Sequence, residues 1–381
     1  MKVMTIVGTR PEIIRLARVM NRLDNTPGVE HVIVHTGQNY DYELNGVFFD
    51  DLGVRKPDHF LAVDTSSLGA VLGGTLIKSE EVMRAEQPDA VLVLGDTNSC
   101  IAAVMAKRLR IPTYHMEAGN RCFDENVPEE TNRRLVDHVA DFNLVYTEHA
   151  RRNLLAEGLH PRRIIKTGSP IREVVEAYTG QIKTSDILAQ RGLEEGKYFL
   201  VSAHREENVD NPERLRALLD GLIAVHDAFD MPVFVSTHPR TRKRLEALPG
   251  WTEPEGITFS EPLGFHDYNK LQLSAACVLS DSGTIAEESS LMGFPAVTLR
   301  DSIERPEALD TGAIIMTGLH ADDMVTAVRV AMESGYERDG VSDITPEDYL
   351  IDNCSQRAVN FILSTAHRHH QWAGIRPGGS R

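Results

Sequence analysis

Polar residues gather at the ends of short apolar runs, and several are of types that do chemistry together. The first run ends in Gly8-Thr9-Arg10-Pro11-Glu12. Gly8 lets a ligand approach the backbone, and Pro11 suits the opening turn of a helix. Arg10 sits where a guanidinium and helix N–H groups can share a phosphate. A plain strand-to-helix turn needs the glycine and the proline, but not the arginine.

Acids recur at later run ends. Gly95-Asp96-Thr97-Asn98 closes one run and His115-Met116-Glu117-Ala118-Gly119 closes the next. Pro128-Glu129-Glu130-Thr131-Asn132-Arg133 then opens a helix. Taken singly, Asp96 is a helix cap and Glu129 and Glu130 compensate a helix dipole. Taken together, Asp96, Glu117 and one of Glu129 or Glu130 meet at the same strand-end face. Crowded carboxylates raise one another's pKa, which supplies an acid and a base near neutral pH.

The second half repeats the pattern. His204-Arg205-Glu206-Glu207-Asn208 follows one apolar run, and Ser236-Thr237-His238-Pro239-Arg240 follows the next. His204 can move a proton near pH 7 or pair with phosphate, although a lone strand-end histidine is more often structural. Asp281-Ser282-Gly283-Thr284 precedes a helix, and its small residues suit a phosphate cradle. Glu288, one turn on, can accept from a ribose diol. Arg300, Arg305 and Glu307 follow the next run.

These positions require a particular scaffold. Apolar, non-alternating runs at 2–8, 31–37, 90–95, 112–117, 142–147 and 164–168 predict strands covered on both faces. So do runs at 198–204, 232–238, 257–261, 277–282, 295–300 and 313–317. Helical patterns between them predict an α/β fold with two Rossmann-like, doubly wound domains. Ligands of such sheets bind beyond the carboxyl ends of the strands, where these residues lie. The join is expected near Thr167-Gly168-Ser169-Pro170. That gives an N-terminal domain of 1–168, plus a returning C-terminal helix at about 353–371, and a C-terminal domain of 169–352. The tail from Gly374 to Arg381 reads as disordered or as an appended remnant.

Composition narrows the class further. The 381 residues suffice for two cores, and the net charge of −16 argues against a nucleic-acid partner. Cys100, Cys122, Cys277 and Cys354 show no CxxC spacing, which predicts a reduced, cytoplasmic protein. No signal peptide or membrane-spanning run is read. The sequence has no GxxxxGK[ST], HExxH, GxSxG or zinc-type Cys/His spacing, so no metal is expected.

In order along the chain, Gly8-Thr9-Arg10-Pro11-Glu12, Gly95-Asp96-Thr97, Glu117-Ala118-Gly119, Pro128-Glu129-Glu130, His204-Arg205-Glu206-Glu207-Asn208, Asp281-Ser282-Gly283 and Glu304-Arg305-Pro306-Glu307-Ala308 form a recognisable set. The set resembles the non-hydrolysing UDP-N-acetylglucosamine 2-epimerase family over nearly the whole chain. The resemblance implies a glycosyltransferase-B architecture with a cleft between the two domains, a homodimer and no redox cofactor. It implies a UDP-sugar substrate, and anti elimination of UDP to a 2-acetamidoglucal followed by re-addition. It implies catalytic positions for Asp96, Glu117, Glu129 and His204, and diphosphate contact for Arg10. Ser282, Gly283 and Glu288 would meet phosphate and ribose, and Tyr268 would lie over uracil. Arg133 and Arg305 would complete the pocket.

Departures from the family pattern bear on the substrate. Arg15 stands where the family has a lysine, which keeps charge but not geometry. Gly283-Thr284 replaces a double glycine. The stretch from His35 through Gln38-Asn39-Tyr40-Asp41-Tyr42-Glu43, with Asn120-Arg121-Cys122-Phe123-Asp124, is similar to a branch that makes UDP-N-acetyl-L-fucosamine from its C2 epimer. Other readings are a glycosyltransferase of the same fold, a hydrolysing epimerase and a non-catalytic nucleotide-sugar sensor. A transferase or a sensor does not account for three acids converging with a histidine.

Overall fold

The computed structural model describes residues 1–37, 49, 51–334 and 343–376. Residues 38–43, part of the stretch similar to the fucosamine branch, lie outside the described residues, as do residues 377–381 of the tail. The chain divides into two compact units, one made of Met1–Ala177 and Asp348–Arg381 and the other of Tyr178–Glu347.

In the first unit the strands are β1 (Lys2–Val7), β2 (Glu30–His35), β3 (His59–Phe60), β4 (Ala90–Leu94), β5 (Thr113–Met116), β6 (Phe142–Val145) and β7 (Ile164–Lys166). Among the described residues they form a parallel sheet in the order β3-β2-β1-β4-β5-β6-β7. Val3, Ile6, Val91, Val93 and Leu144 are fully buried, as strands covered by helices on both faces require. Each contributes on the order of 1.5–3 kcal/mol of burial free energy.

The predicted strands are present, but they stop one or two residues early at the carboxyl end. Gly95 and Glu117 leave their strands with φ of +68° and +64°, a left-handed turn that ends the ladder. The edge strand β3 has no counterpart among the predicted runs, because two residues carry no periodicity.

The helix Cys354–Trp372 belongs to this unit and packs on the helix Arg10–Asp24. Arg22 Nε donates to Ser355 Oγ at 3.0 Å. The Tyr114 and Thr365 hydroxyls lie 2.7 Å apart, and Phe361 meets the Phe142 ring edge-on at 5.3 Å.

The second unit repeats the plan with β8 (Phe199–Ser202), β9 (Val233–Ser236), β10 (Ile257–Ser260), β11 (Cys277–Ser280), β12 (Ala296–Thr298) and β13 (Ile315–Met316). Their order, again all parallel, is β10-β9-β8-β11-β12-β13. Phe199, Val201, Leu222, Val225, Leu279 and Val328 fill the core between sheet and helices. All four cysteines are buried and unbridged. No helix among the described residues is long and apolar enough to cross a membrane.

Candidate active site

Strand order reverses once in each sheet, between β1 and β4 and between β8 and β11. A crevice opens at such a point because the flanking connections leave to opposite faces. Gly8 to Arg10 follow β1, Gly95 and Asp96 follow β4, His204 follows β8, and Asp281 to Thr284 follow β11. These residues, selected from sequence, therefore flank the switch point of their own unit, whereas Glu117 follows the neighbouring strand β5.

In the first unit, Arg10 opens the helix Arg10–Asp24, half-buried, and burial pushes its guanidinium pKa down. The turn before it is organised by Glu12, which is fully buried. Glu12 Oε2 accepts from the Gly8 N–H and the Thr9 hydroxyl, each at 2.9 Å, and Oε1 accepts from Ser99 Oγ. Burial raises the Glu12 pKa, and the bonds from Ser99, Thr9 and Gly8 oppose that shift. One carboxylate thus ties the end of β1 to the turn after β4.

Glu117 is buried, and its Oε2 accepts from Arg15 Nη1. The same carboxylate lies over Gly95, where an added Cβ would sit 3.4 Å from Oε2. Arg15, selected as a substrate-binding residue, is thus paired with a candidate catalytic acid here. Asp96 is gripped by Arg133 through Nε at 2.8 Å and Nη2 at 2.6 Å. Arg133 also donates to Glu130 Oε2 at 3.1 Å, and Glu130 further accepts from Arg134 and from the Cys122 N–H. Glu130 is therefore bound up in structure, whereas Glu129 stands half-buried at the first position of the helix Glu129–Val139.

In the second unit, Asp281 is the organising carboxylate, with no exposure to solvent. It accepts from the His204 N–H at 3.0 Å, the Arg205 N–H at 3.0 Å and Asn208 Nδ2 at 3.1 Å. His204 Nδ1 lies 3.4 Å from the same carboxylate, and the ring is 41% exposed. Arg205 donates to Glu304 at 3.0 Å.

Ser282, Gly283 and Thr284 form the turn before the helix Ile285–Met292. Ser280 Oγ takes the Ser282 N–H and Ser282 Oγ takes the Thr284 N–H, so two of the turn's amides are used internally. Arg305, almost fully buried, donates to the Gly283 carbonyl at 2.9 Å and to Glu287 at 2.7 Å. Glu288 is held by Gln272 at 2.7 Å. Tyr268, on the helix Phe265–Ser274, bonds through its hydroxyl to Ser202; burial first, and the charge of Glu288 second, push its phenol pKa up.

Sequence reasoning did not select Glu12, Asp281, Glu287 or Glu304 as site residues, and it offered Glu130 only as the alternative to Glu129. The usable signal was an acid next to a glycine turn at a strand end. That signal marks Glu12 and Asp281, whereas Glu287 and Glu304 are recognisable only from the arginines they meet.

Two Rossmann-like units, each with charged and small polar residues at its own switch point, make this an α/β enzyme of the glycosyltransferase-B type. Residues 21–363 match the family model described as UDP-N-acetylglucosamine 2-epimerase. The chain belongs to the UDP-N-acetylglucosamine 2-epimerase family. The UDP-N-acetylglucosamine 2-epimerase of Methanocaldococcus jannaschii is 36% identical over 342 residues, 87% of this chain and 92% of that protein. A solved structure of UDP-N-acetylglucosamine 2-epimerase from Rickettsia bellii is 44% identical, with a TM-score of 0.91 over 99% of this chain and 100% of that one. The M. jannaschii enzyme solved in complex with UDP-GlcNAc and UDP is 34% identical, with a TM-score of 0.89 over 96% of this chain and 100% of that one.

Proposed function

We propose that the protein interconverts UDP-N-acetylglucosamine and UDP-N-acetylmannosamine without hydrolysis. A base removes the proton at C2 while the C1–O bond to UDP breaks, leaving 2-acetamidoglucal and UDP. UDP then adds back at C1, and an acid delivers a proton to the opposite face of C2. The two proton transfers need two groups on opposite faces, so a single carboxylate does not suffice. The observation that carries this reading is that the Glu117 carboxylate, at the end of β5, lies over Gly95, the residue before Asp96 at the end of the neighbouring strand β4.

In this reading Asp96, Glu117, Glu129 and His204 handle protons and the leaving UDP. Arg10, Arg15 and Arg133 bring positive charge to the diphosphate side. The second unit is the UDP-binding domain: Ser282, Gly283 and Thr284 meet phosphate, Glu288 the ribose and Tyr268 the uracil, and Arg305 stiffens the turn. Family membership supports a homodimer working in the cytoplasm.

The test is incubation with UDP-N-acetylglucosamine in D₂O, following sugar C2 by NMR, repeated with the UDP-6-deoxy-L-talo sugar. Deuterium at C2 with new UDP-N-acetylmannosamine signals is the expected result. Exchange with the deoxy sugar alone would move the substrate to the fucosamine series. Tight UDP binding without exchange on either sugar would overturn the epimerase reading.

A further inference from the structure

His115 and Asp137 are completely buried, at 0% exposure, and neither belongs to the reaction described above. The His115 ring spans two turns. Its Nε2 lies 2.7 Å from the carbonyl oxygen of Gly95. A carbonyl only accepts, so Nε2 carries a hydrogen. Nδ1 lies 2.8 Å from Asp137 Oδ1, and one hydrogen must lie between those two atoms whichever of them holds it. Asp137 also accepts from the Gly119 N–H at 3.1 Å and from Arg121 Nη1 at 2.8 Å. Arg121, itself buried, extends the network to Glu157 at 2.8 Å.

The two turns that meet this pair carry the candidate carboxylates. Gly95 directly precedes Asp96, and Gly119 follows Glu117 by two residues. Gly95, Glu117 and Gly119 all adopt positive φ, of +68°, +64° and +81°. For Glu117, which has a side chain, that conformation is unfavourable and persists only if neighbouring contacts enforce it. Gly119 is closely packed as well, since a Cβ there would lie 2.4 Å from the Ala150 carbonyl oxygen.

A buried ionisable pair is a poor device for stability alone, because apolar residues of the same volume usually do as well or better. An apolar pair, however, would leave the Gly95 carbonyl and the Gly119 N–H without these partners. What His115 and Asp137 supply is orientation. We infer that they are a positioning pair, which holds Asp96 and Glu117 in fixed relation at the switch point without touching substrate. This inference rests on the epimerase reading for the roles of the two carboxylates.

Two variants separate the two bonds. In His115→Asn the side-chain amide reaches the position of Nδ1 but not that of Nε2, so the Asp137 contact stays and the Gly95 contact goes. In His115→Gln the amide reaches the Nε2 position and the Gly95 contact stays. Displacing a catalytic group by about 1 Å costs about 10²-fold in rate, so His115→Asn should lose about that much in kcat, with KM changed less than about threefold. His115→Gln, which keeps the Gly95 contact and gives up the Asp137 contact, should recover only part of the loss.

Amide hydrogen exchange at Gly95 to Asp96 and at Glu117 to Gly119 gives a second readout that needs no turnover. Faster exchange there in His115→Asn, with an unchanged pattern in the second unit, is the expected result. Two folded variants with near-native kcat, or with equal losses that track their melting temperatures, would overturn the positioning role. A native protein that turns over no UDP-sugar would overturn the epimerase reading. Unchanged exchange at both turns in that case would overturn the positioning pair as well.

Discussion

Arg133 holds Asp96 by a two-pronged contact, Nε at 2.8 Å and Nη2 at 2.6 Å from one carboxylate oxygen. A guanidinium makes such a fork and an ammonium does not. Arg133 is almost fully buried, whereas the Asp96 side chain keeps 23% of its surface.

The fork predicts unequal effects of two substitutions. Asp96→Asn removes a proton-transfer group and should lower kcat by about 10²–10⁴-fold. Arg133→Lys keeps the charge but loses the geometry, and a loss of about tenfold is expected. UDP affinity, measured by calorimetry, should change little in Asp96→Asn. Near-native turnover in that variant would remove Asp96 from the chemistry.

Gly283 is required by close approach rather than by φ. A Cβ there would lie 2.5 Å from Glu304 Oε1 and 3.3 Å from Arg205 Nη2, and both are held in an ion pair. Gly283→Ala should therefore push the turn outward and raise KM for the UDP-sugar about tenfold or more, because contacts set by fixed geometry do not survive such a shift. Steady-state kinetics with a melting curve checks this.

Asp281 is buried beneath the His204 turn and accepts from two backbone amides and one side-chain amide. Asp281→Asn turns one accepting oxygen into a donor facing donors. The expected cost is about 1–3 kcal/mol in urea unfolding, with a fall in kcat that exceeds any rise in KM. A variant that loses stability but keeps full kcat would show that His204 needs no such support.

Glu157 gives a pH signature. The bond from Arg121 holds its carboxyl down from 4.5 to about 2. A carboxyl held below its unfolded value contributes stability that is complete above about 4.5 and disappears as pH falls toward about 2. Its side chain is 26% exposed, and solvent screening reduces the contribution to about 1–2 kcal/mol. Glu157→Gln should be less stable than the native protein by that amount near neutrality, with the gap closing between about pH 4.5 and pH 2. Urea unfolding at several pH values measures it, and a gap independent of pH would contradict the assignment.

The sequence made the switch-point residues visible because valine-rich strands and their glycine-bearing ends are local signals. Arg10, Asp96, Glu117, His204 and Ser282 all stand at or just after the ends of predicted strands, and the structure has each of them at a strand end. Pairings were not legible, since they join distant segments: Glu12 meets Ser99 across 87 residues and Arg15 meets Glu117 across 102. The choice between Glu129 and Glu130 was likewise undecidable from two adjacent acids in one helical turn. It depends on which of them reaches Arg133 and the Cys122 amide. The edge strand His59–Phe60 escaped for the opposite reason, being too short to have a pattern.

The division of the chain has a consequence for how the protein is made. Tyr178–Glu347 is inserted whole between the two parts of the first unit. During synthesis the inserted unit is complete, and free to fold, before Asp348–Arg381 has been translated. The first unit, although begun earlier, still lacks the helix that lays Phe361 against Phe142 and Thr365 against Tyr114. Its aromatic face must therefore wait, uncovered, until after its neighbour is finished. The first unit to be begun is thus the last to be completed, and its uncovered aromatic face is exposed to aggregation in the meantime.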